Sequence, residues 1–511
     1  MAEAANVLLI TADQWRGDAL GALGHGVVRT PNLDRLAATG TRFARHFTVT
    51  APCGPARASL HTGLYLHNHR SVMNGTPLDR RHANMALEAR QAGLAPTLFG
   101  YTDTSPDPEG LAPNDPRLFT YEGVLPGYDV GQALPEDSRP WLAWLRRQGY
   151  RGLDTPALAY APADGRIGGP ARFAAAHSET AFIADAALDW LGTRDGRPWF
   201  AHVSFLRPHP PWTAPAEFRR LYADGAVGAA LPPAPDGLHP LVDGLRARFP
   251  VSSLVPGFAG AARDLGAAEA AALRATYYAL MTEVDHHVGR LLAWLDESGQ
   301  RERTLVVFTA DHGEYLGDHG LYGKMGFHPQ AFHIPLIVSA PDAAARGRVV
   351  DAFTESVDVM PTVLTALGLE TPAACDGAAL QPWLRGHEPA TWRDAAHWEL
   401  DFRTLTRGMP GADPDRAALV ARLDATSLYV HFAEGPPLFF DLAADPRGHR
   451  DLARDATAAG ARLAALDALM TWRLRHENRR LSSLRVGPGG LERWAPASAE
   501  GPQPRGAMRG V

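Results

Sequence analysis

The residue types best suited to chemistry gather in one stretch, Ala51-Pro52-Cys53-Gly54-Pro55-Ala56-Arg57-Ala58-Ser59-Leu60-His61-Thr62-Gly63. Pro55 fits the first turn of a helix, so the Cys53 sulfur lies near a helix N-terminus. Unpaired N–H groups and the helix dipole favour an anion there. Arg57, one helical turn on, shares that face and can fork onto an oxyanion. A buried cysteine at an ordinary helix start fits a bare C-x-P-x-R equally well. Two apolar runs add harder ligands. Asn6 to Thr11 (NVLLIT) stops at Asp13-Gln14, and Thr304 to Ala310 (TLVVFTA) runs into Asp311-His312. Asp13, Asp311 and His312 supply two carboxylates and an imidazole, and Gln14 can add an amide oxygen. This mixed O/N set suits Mn²⁺, Zn²⁺ or Fe²⁺ more than a pure-oxygen Ca²⁺ cage, with Ca²⁺ and Mg²⁺ open as alternatives. Two carboxylates neutralise one divalent ion, and Arg57 and Lys324 then leave the pocket net positive, favouring an anionic substrate.

The elements that must position these residues alternate along the chain. Strands are predicted at Asn6–Thr11, Phe43–Val49, Trp199–Phe205, Thr304–Ala310 and Ile334–Ser339. Helices are predicted from Thr30-Pro31 to Gly40, over Ser178–Leu191, over Ala267–Leu295 and through Met360–Leu367. Continuously apolar strands separated by helices mean an α/β fold with a large, mostly parallel sheet between helices, and ligands bind such sheets at the strands' carboxyl ends. Ser427–Phe432 and Pro437–Leu442 predict an antiparallel hairpin, and Leu452–Arg475 a covering helix. The expected organisation is a catalytic domain over 1–370, a smaller C-terminal α+β subdomain over 371–485 and a Gly/Pro-rich tail over 486–511. Segment 102–170, rich in Pro, Asp and Gly, is expected to be a long excursion that shapes the pocket.

Composition excludes several classes. Fifty Lys+Arg against 56 Asp+Glu give a net charge of −6, which argues against a nucleic-acid or anionic-membrane binder. Two cysteines cannot build a disulfide framework. Met1-Ala-Glu-Ala-Ala has no basic leader region and no apolar run is long enough to span a bilayer, so a cytoplasmic enzyme is expected. Adjacent His286 and His287 point apart on a helix and are read as structural. Cys375 is read as a small buried residue, and His319 as a loop-ordering one.

With Leu60 and Thr62-Gly63, the C-x-P-x-R run resembles the signature of the sulfatases within the alkaline phosphatase superfamily. Asp311-His312-Gly313-Glu314, Asp318-His319-Gly320, Lys324 and Asp445-Pro446 extend the resemblance across roughly residues 5–370 plus a weaker tail match. Asp13-Gln14 stands where sulfatases typically have two carboxylates, and Ala56 where many have Ser. Those pairs, with Tyr101-Thr-Asp-Thr-Ser-Pro-Asp-Pro108 and Arg207-Pro-His-Pro-Pro211, are most similar to the phosphonate monoester hydrolases, which are also phosphodiesterases.

The resemblance implies an alkaline-phosphatase-like core and conversion of Cys53 to formylglycine by a formylglycine-generating enzyme. The hydrated aldehyde would join Asp13, Asp311, His312 and Gln14 around one divalent metal, Mn²⁺ foremost, and attack phosphorus or sulfur. Arg57 and Lys324 would hold the non-bridging oxygens, and His209, held between prolines, would protonate the leaving oxygen. Asn74, Tyr101 and Asp103 would contact substrate, although Asp103 departs from a run that is usually all hydroxyl, and a carboxylate there repels an anion unless paired. The expected partners are a small phosphonate, phosphate or sulfate ester and further copies of the chain in a tetramer, with no nucleic acid and no membrane. Two rival readings are a sulfatase with the same machinery and a metal- and anion-binding protein without turnover.

Overall fold

The computed structural model describes residues 4–194, 196–233, 235–341, 346–406 and 413–493. The apolar runs that end in acids are strands of one sheet. Its strands are β1 (Asn6–Ala12), β2 (Thr41–Phe47), β3 (Pro96–Gly100), β4 (Asp129–Ala133), β5 (Phe200–Phe205), β6 (Thr304–Ala310), β7 (Leu336–Ser339) and β8 (Arg348–Glu355). They lie in the order β4-β3-β5-β1-β6-β7-β2-β8. Only β7 runs antiparallel to its neighbours. The central β1, β5 and β6 are buried at every position, as a sheet covered on both faces requires.

The covering helices are α1 (Pro31–Thr39), α2 (Cys53–Thr62), α3 (Glu179–Leu191), α4 (Ala267–Glu297), α5 (Val359–Ala366) and α6 (Ala459–Arg475). The period of two along β1 divides the core. Leu8 and Ile10 pack with Leu280, Val284 and Leu291 of α4, whereas Val7 and Leu9 pack with Met360, Val363 and Leu364 of α5. Local signals hold at several termini. Pro31 opens α1 and Gly40 closes it, and Ser178 Oγ accepts from Ala181 N at 3.1 Å to cap α3. The first amides of α1 are satisfied across the fold, because Asn32 and Leu33 donate to Asp285 of α4 at 3.1 and 2.8 Å.

A second, antiparallel sheet joins β9 (Ala396–Asp401), β10 (Ala418–Leu423), β11 (Ser427–Phe432) and β12 (Leu438–Asp441) in the order β12-β11-β10-β9. Leu469 and Trp472 of α6 pack on its Tyr429 and Phe439. Glu399 N of β9 donates to Val49 O at 2.9 Å, which ties this sheet to the segment leading into α2. The covering helix is shorter than expected. Residues before 459 are tied to β12 instead, with Leu452 N donating to Phe439 O at 2.7 Å and Asp451 accepting from Phe439 N at 3.0 Å. Segment 102–170 is more regular than expected, containing β4 at the sheet edge and a helix at Arg139–Arg147. Within the expected tail, Gly490–Arg493 pairs with Leu484–Gly487 as a hairpin, and residues 494–511 lie outside the described residues. No described helix is long and apolar enough to cross a membrane.

One glycine fixes how close the strands approach near the chemistry. Gly100, at φ +114°, ends β3 where a Cβ would stand 2.0 Å from Ser204 O of β5. Gly100→Ala should therefore lower stability in denaturant titrations by about 2–4 kcal/mol. Because Tyr101 and Ser204 move with it, kcat/KM should also fall at least tenfold. An unchanged midpoint and rate would show that this approach is not constrained.

Candidate active site

Strand register brings the two acids together. β1 and β6 are adjacent and parallel with Ala12 opposite Ala310, so Asp13 and Asp311 emerge side by side, both buried. A single guanidinium binds both. Arg57 donates from Nε to Asp311 Oδ2 at 3.0 Å and from Nη2 to Asp13 Oδ2 at 3.2 Å. Its Nη1 donates to the Tyr101 carbonyl at 3.0 Å and to Ser204 Oγ at 2.8 Å, and its carbon lies 4.0 Å from the Tyr101 ring centroid. Four of the five N–H groups are engaged by the protein, and the fork expected on a substrate oxyanion grips two carboxylates instead.

Burial and the neighbouring Asp13 push the Asp311 carboxyl up to about 7. Burial opposes ionisation of Asp13 as well, but His209, His312, Lys324 and Arg57 hold it well below the usual carboxylate range. Tyr101 OH also donates to Asp13 Oδ2. Asp13 Oδ1 is left facing His312 Nε2 at 3.7 Å and Cys53 Sγ at 4.0 Å.

His312 Nδ1 donates to the Gly313 carbonyl at 3.0 Å, which leaves the Nε2 lone pair for a ligand. Nε2 stands 3.2 Å from Cys53 Sγ and 3.9 Å from Asp311 Oδ2. Burial, with the Lys324 charge next, keeps the ring neutral. One donor atom each from Asp13, Cys53, Asp311 and His312 falls within 4.8 Å of the others. Ligands around a four-coordinate ion at about 2.0–2.3 Å stand roughly 3.3–3.8 Å apart, so these four residues fit a divalent cation. Their mixed O/N/S chemistry fits one too.

Cys53 is the first residue of α2, a helix buried along its whole length. Gly54 N donates to Asn74 Oδ1 at 2.9 Å, so Asn74, in the expected Asn-Gly turn, caps this helix. Lys324 Nζ lies 3.3 Å from Cys53 Sγ and 3.0 Å from Gln14 Oε1. Burial, with Asp13 next, pushes the Cys53 thiol well up, so this sulfur is not an activated thiolate. The Gln14 amide links Lys324 to Glu314. Its backbone is held at φ +66°, with N–H donating to Asp311 Oδ1 at 3.1 Å and C=O accepting from Tyr277 OH at 2.7 Å.

His209 follows β5, half-buried, and its Nδ1 donates to the Pro210 carbonyl at 2.6 Å. Burial and Lys324 push it down to about 4. Asp103 is buried against the same pocket, with both carboxyl oxygens unpartnered. His319 stacks on His328 at 3.9 Å, away from the ligand set, and Cys375 packs on the Gly63 carbonyl. His287 bonds Arg290, its neighbour on α4. No residue pattern in the sequence gives Ser204, Tyr277 or Glu314 a role. The position of Glu314, three residues past Asp311 in a glycine-rich loop, is the one available signal. Glu314 accepts from Leu316 N and Gly323 N at 2.7 Å each, which shapes the loop that delivers Lys324.

The sequence profile of the sulfatases matches residues 5–369. The chain belongs to the sulfatase family. The multifunctional alkaline phosphatase superfamily protein PehA of Trinickia caryophylli is 40% identical over 506 residues, covering 95% of this chain and 98% of PehA. The phosphonate monoester hydrolase structure of Agrobacterium radiobacter superposes with a TM-score of 0.93 at 42% identity, covering 96% of this sulfatase-family chain and all of that one. An arylsulfatase of Clostridium perfringens is 27% identical over 452 residues, covering 86% of this chain and 89% of its own.

The ligand geometry carries a direct test. A proton on Asp311 competes with the metal, and its carboxyl is raised to about 7. Metal affinity should therefore hold above pH 7 and weaken by up to about tenfold per unit below it, as read by competition with a chromogenic chelator. Asp311→Asn and His312→Ala should purify with less than about a tenth of the wild-type metal content. Full occupancy in both variants would remove these residues from the ligand set.

Proposed function

We propose that this protein hydrolyses phosphonate monoesters and phosphodiesters, with lesser activity on sulfate esters, using formylglycine made from Cys53. The observation that carries the reading is the Cys53 side chain 3.2 Å from His312 Nε2 and 3.3 Å from Lys324 Nζ, in a chain about 40% identical along its length to PehA and to the phosphonate monoester hydrolase. Lower identity to the arylsulfatase supports ranking sulfate second. Asp13, Asp311, His312 and residue 53 would hold the divalent ion, for which Mn²⁺ is our first choice. Formylglycine supplies the nucleophilic oxygen when hydrated, and the ion supplies Lewis acidity.

The chain's own residues do the rest. Arg57 and Tyr101 fix one oxygen of Asp13, and two backbone amides fix one of Asp311, so both acids are oriented before substrate arrives. Lys324, aimed by Gln14, is the cation beside residue 53 and takes a non-bridging oxygen as negative charge builds. Burial of the pocket raises the worth of that contact. His209 enters neutral, takes up a proton from solvent at Nε2 as the negative charge of the bound ester raises its basicity, and passes that proton to the leaving oxygen. Maturation requires a formylglycine-generating enzyme in the same compartment.

Mass spectrometry of the peptide containing residue 53 should find an aldehyde in place of the thiol. Matched assays should favour p-nitrophenyl phenylphosphonate over p-nitrophenyl sulfate. A fully retained thiol in active enzyme sinks the nucleophile, and a large sulfate preference reverses the substrate ranking. His209→Ala should slow phenyl esters by about 10²–10⁴-fold and p-nitrophenyl esters far less, because a good leaving group needs little protonation. Equal losses on both would exclude His209 as the acid.

A further inference from the structure

Between Tyr101 and Glu136 the pocket carries three carboxyl groups to which hydrolysis assigns no task. Asp103 is 2% exposed, and neither of its carboxyl oxygens has a hydrogen-bond partner. Its backbone is held at φ +48° and clamped on both sides. Thr102 Oγ1 donates to Gly123 O at 3.1 Å and accepts from Leu125 N at 2.8 Å, and Thr104 N donates to Gly123 O at 3.0 Å. The Asp103 carbonyl lies 3.1 Å from where a Cβ on Gly54 would stand, so the residue is pressed against the start of α2 beside Cys53. Glu122 accepts from Glu136 N, and Glu136 accepts from Tyr121 OH. Tyr121 is 39% exposed.

Among the described residues, none of the three acids is in an ion pair. Burial and repulsion from Glu136, Asp13 and Glu122, against Arg57, push Asp103 up to about 8, and burial with Glu136 pushes Glu122 up to about 7. The cluster reaches the catalytic groups electrostatically, Glu136 acting on His209 and Lys324 and Asp103 on Cys53. A buried carboxyl without a partner is costly, and a cation arriving with the substrate removes that cost. Among the described residues, the one group of three or more metal-type donors within 4.8 Å is the Asp13 set. The three acids are thus too dispersed to converge on a metal ion. Carboxyls beside a partly exposed tyrosine are instead the chemistry that recognises an ammonium group.

We propose that Asp103, Glu122, Glu136 and the Tyr121 ring form a subsite for an ammonium group on the ester, so that the natural substrate is zwitterionic. Its anionic phosphoryl or phosphonyl centre sits at Lys324 and residue 53, and its cationic arm sits on the acids. This rests on the hydrolytic reading and specifies its substrate class. It also gives the unpartnered Asp103 carboxyl a place in the pocket.

The test compares two p-nitrophenyl phosphodiesters of the same shape, one bearing 2-(trimethylammonio)ethyl and the other its neutral isostere 3,3-dimethylbutyl. Wild-type enzyme should prefer the cationic diester in kcat/KM by about tenfold or more. The preference should drop severalfold in E136Q, whose side chain is half-exposed, and approach unity in the double variant D103N/E136Q. Because the ratio is read within each variant, general damage that slows both esters does not imitate the loss. Equal rates in wild type, or a preference that survives both substitutions, would overturn the subsite while leaving hydrolysis intact. If wild-type enzyme carrying the aldehyde and metal cleaves neither diester, the hydrolytic reading falls and the subsite with it.

Discussion

The contact on which the site depends is the grip of Arg57 on Asp13 and Asp311. Two buried carboxylates side by side repel each other, and one guanidinium between them neutralises only one charge. Lys324 answers the second charge, so a divalent ion bound between these acids would leave the pocket net positive, as an anionic ester requires. The planar fork also sets geometry as well as charge, since it holds one oxygen of each acid and stacks on Tyr101. A lysine at position 57 would give charge without that alignment.

Everything else keeps this triad in register. β1 and β6 deliver the acids at one level because parallel pairing fixes which residues leave the sheet together. β3 and β5 deliver Tyr101 and Ser204, the other two acceptors of the Arg57 guanidinium, and Gly100 allows those strands to close up. α2 is buried on all sides, so Cys53 and Arg57 cannot swing away. The second sheet contributes from behind through the Glu399 bond to Val49, which braces the approach to α2. The glycine-rich loop organised by Glu314 then brings Lys324 over the sulfur.

Much of this was legible in the residues. Continuous apolar runs ending in Asp13 and Asp311 announce buried parallel strands, and capping signals at Thr30-Pro31 and Ser178 mark real helix starts, because such preferences act within a few residues. The helix expected from Leu452 was overestimated, since Asp451 and Leu452 bond across to β12, and a tertiary hydrogen bond outweighs local periodicity. Segment 102–170 was unreadable for the same reason. Its strand gains meaning only against β3, and Glu122 and Glu136 matter only because the fold turns them toward Asp103 and Lys324.

Residue identity and short spacing were enough to read the fold class, the metal-type donors and the motif around Cys53, because each of these is a local property of the chain. That Arg57 grips two carboxylates, that Gln14 meets Lys324 and that Asp103 lacks a partner emerged from the folded chain alone. Those outcomes depend on which polar atoms meet across as many as 310 residues. In a buried site that choice is made by packing and the need to satisfy every donor and acceptor, and no local pattern encodes it.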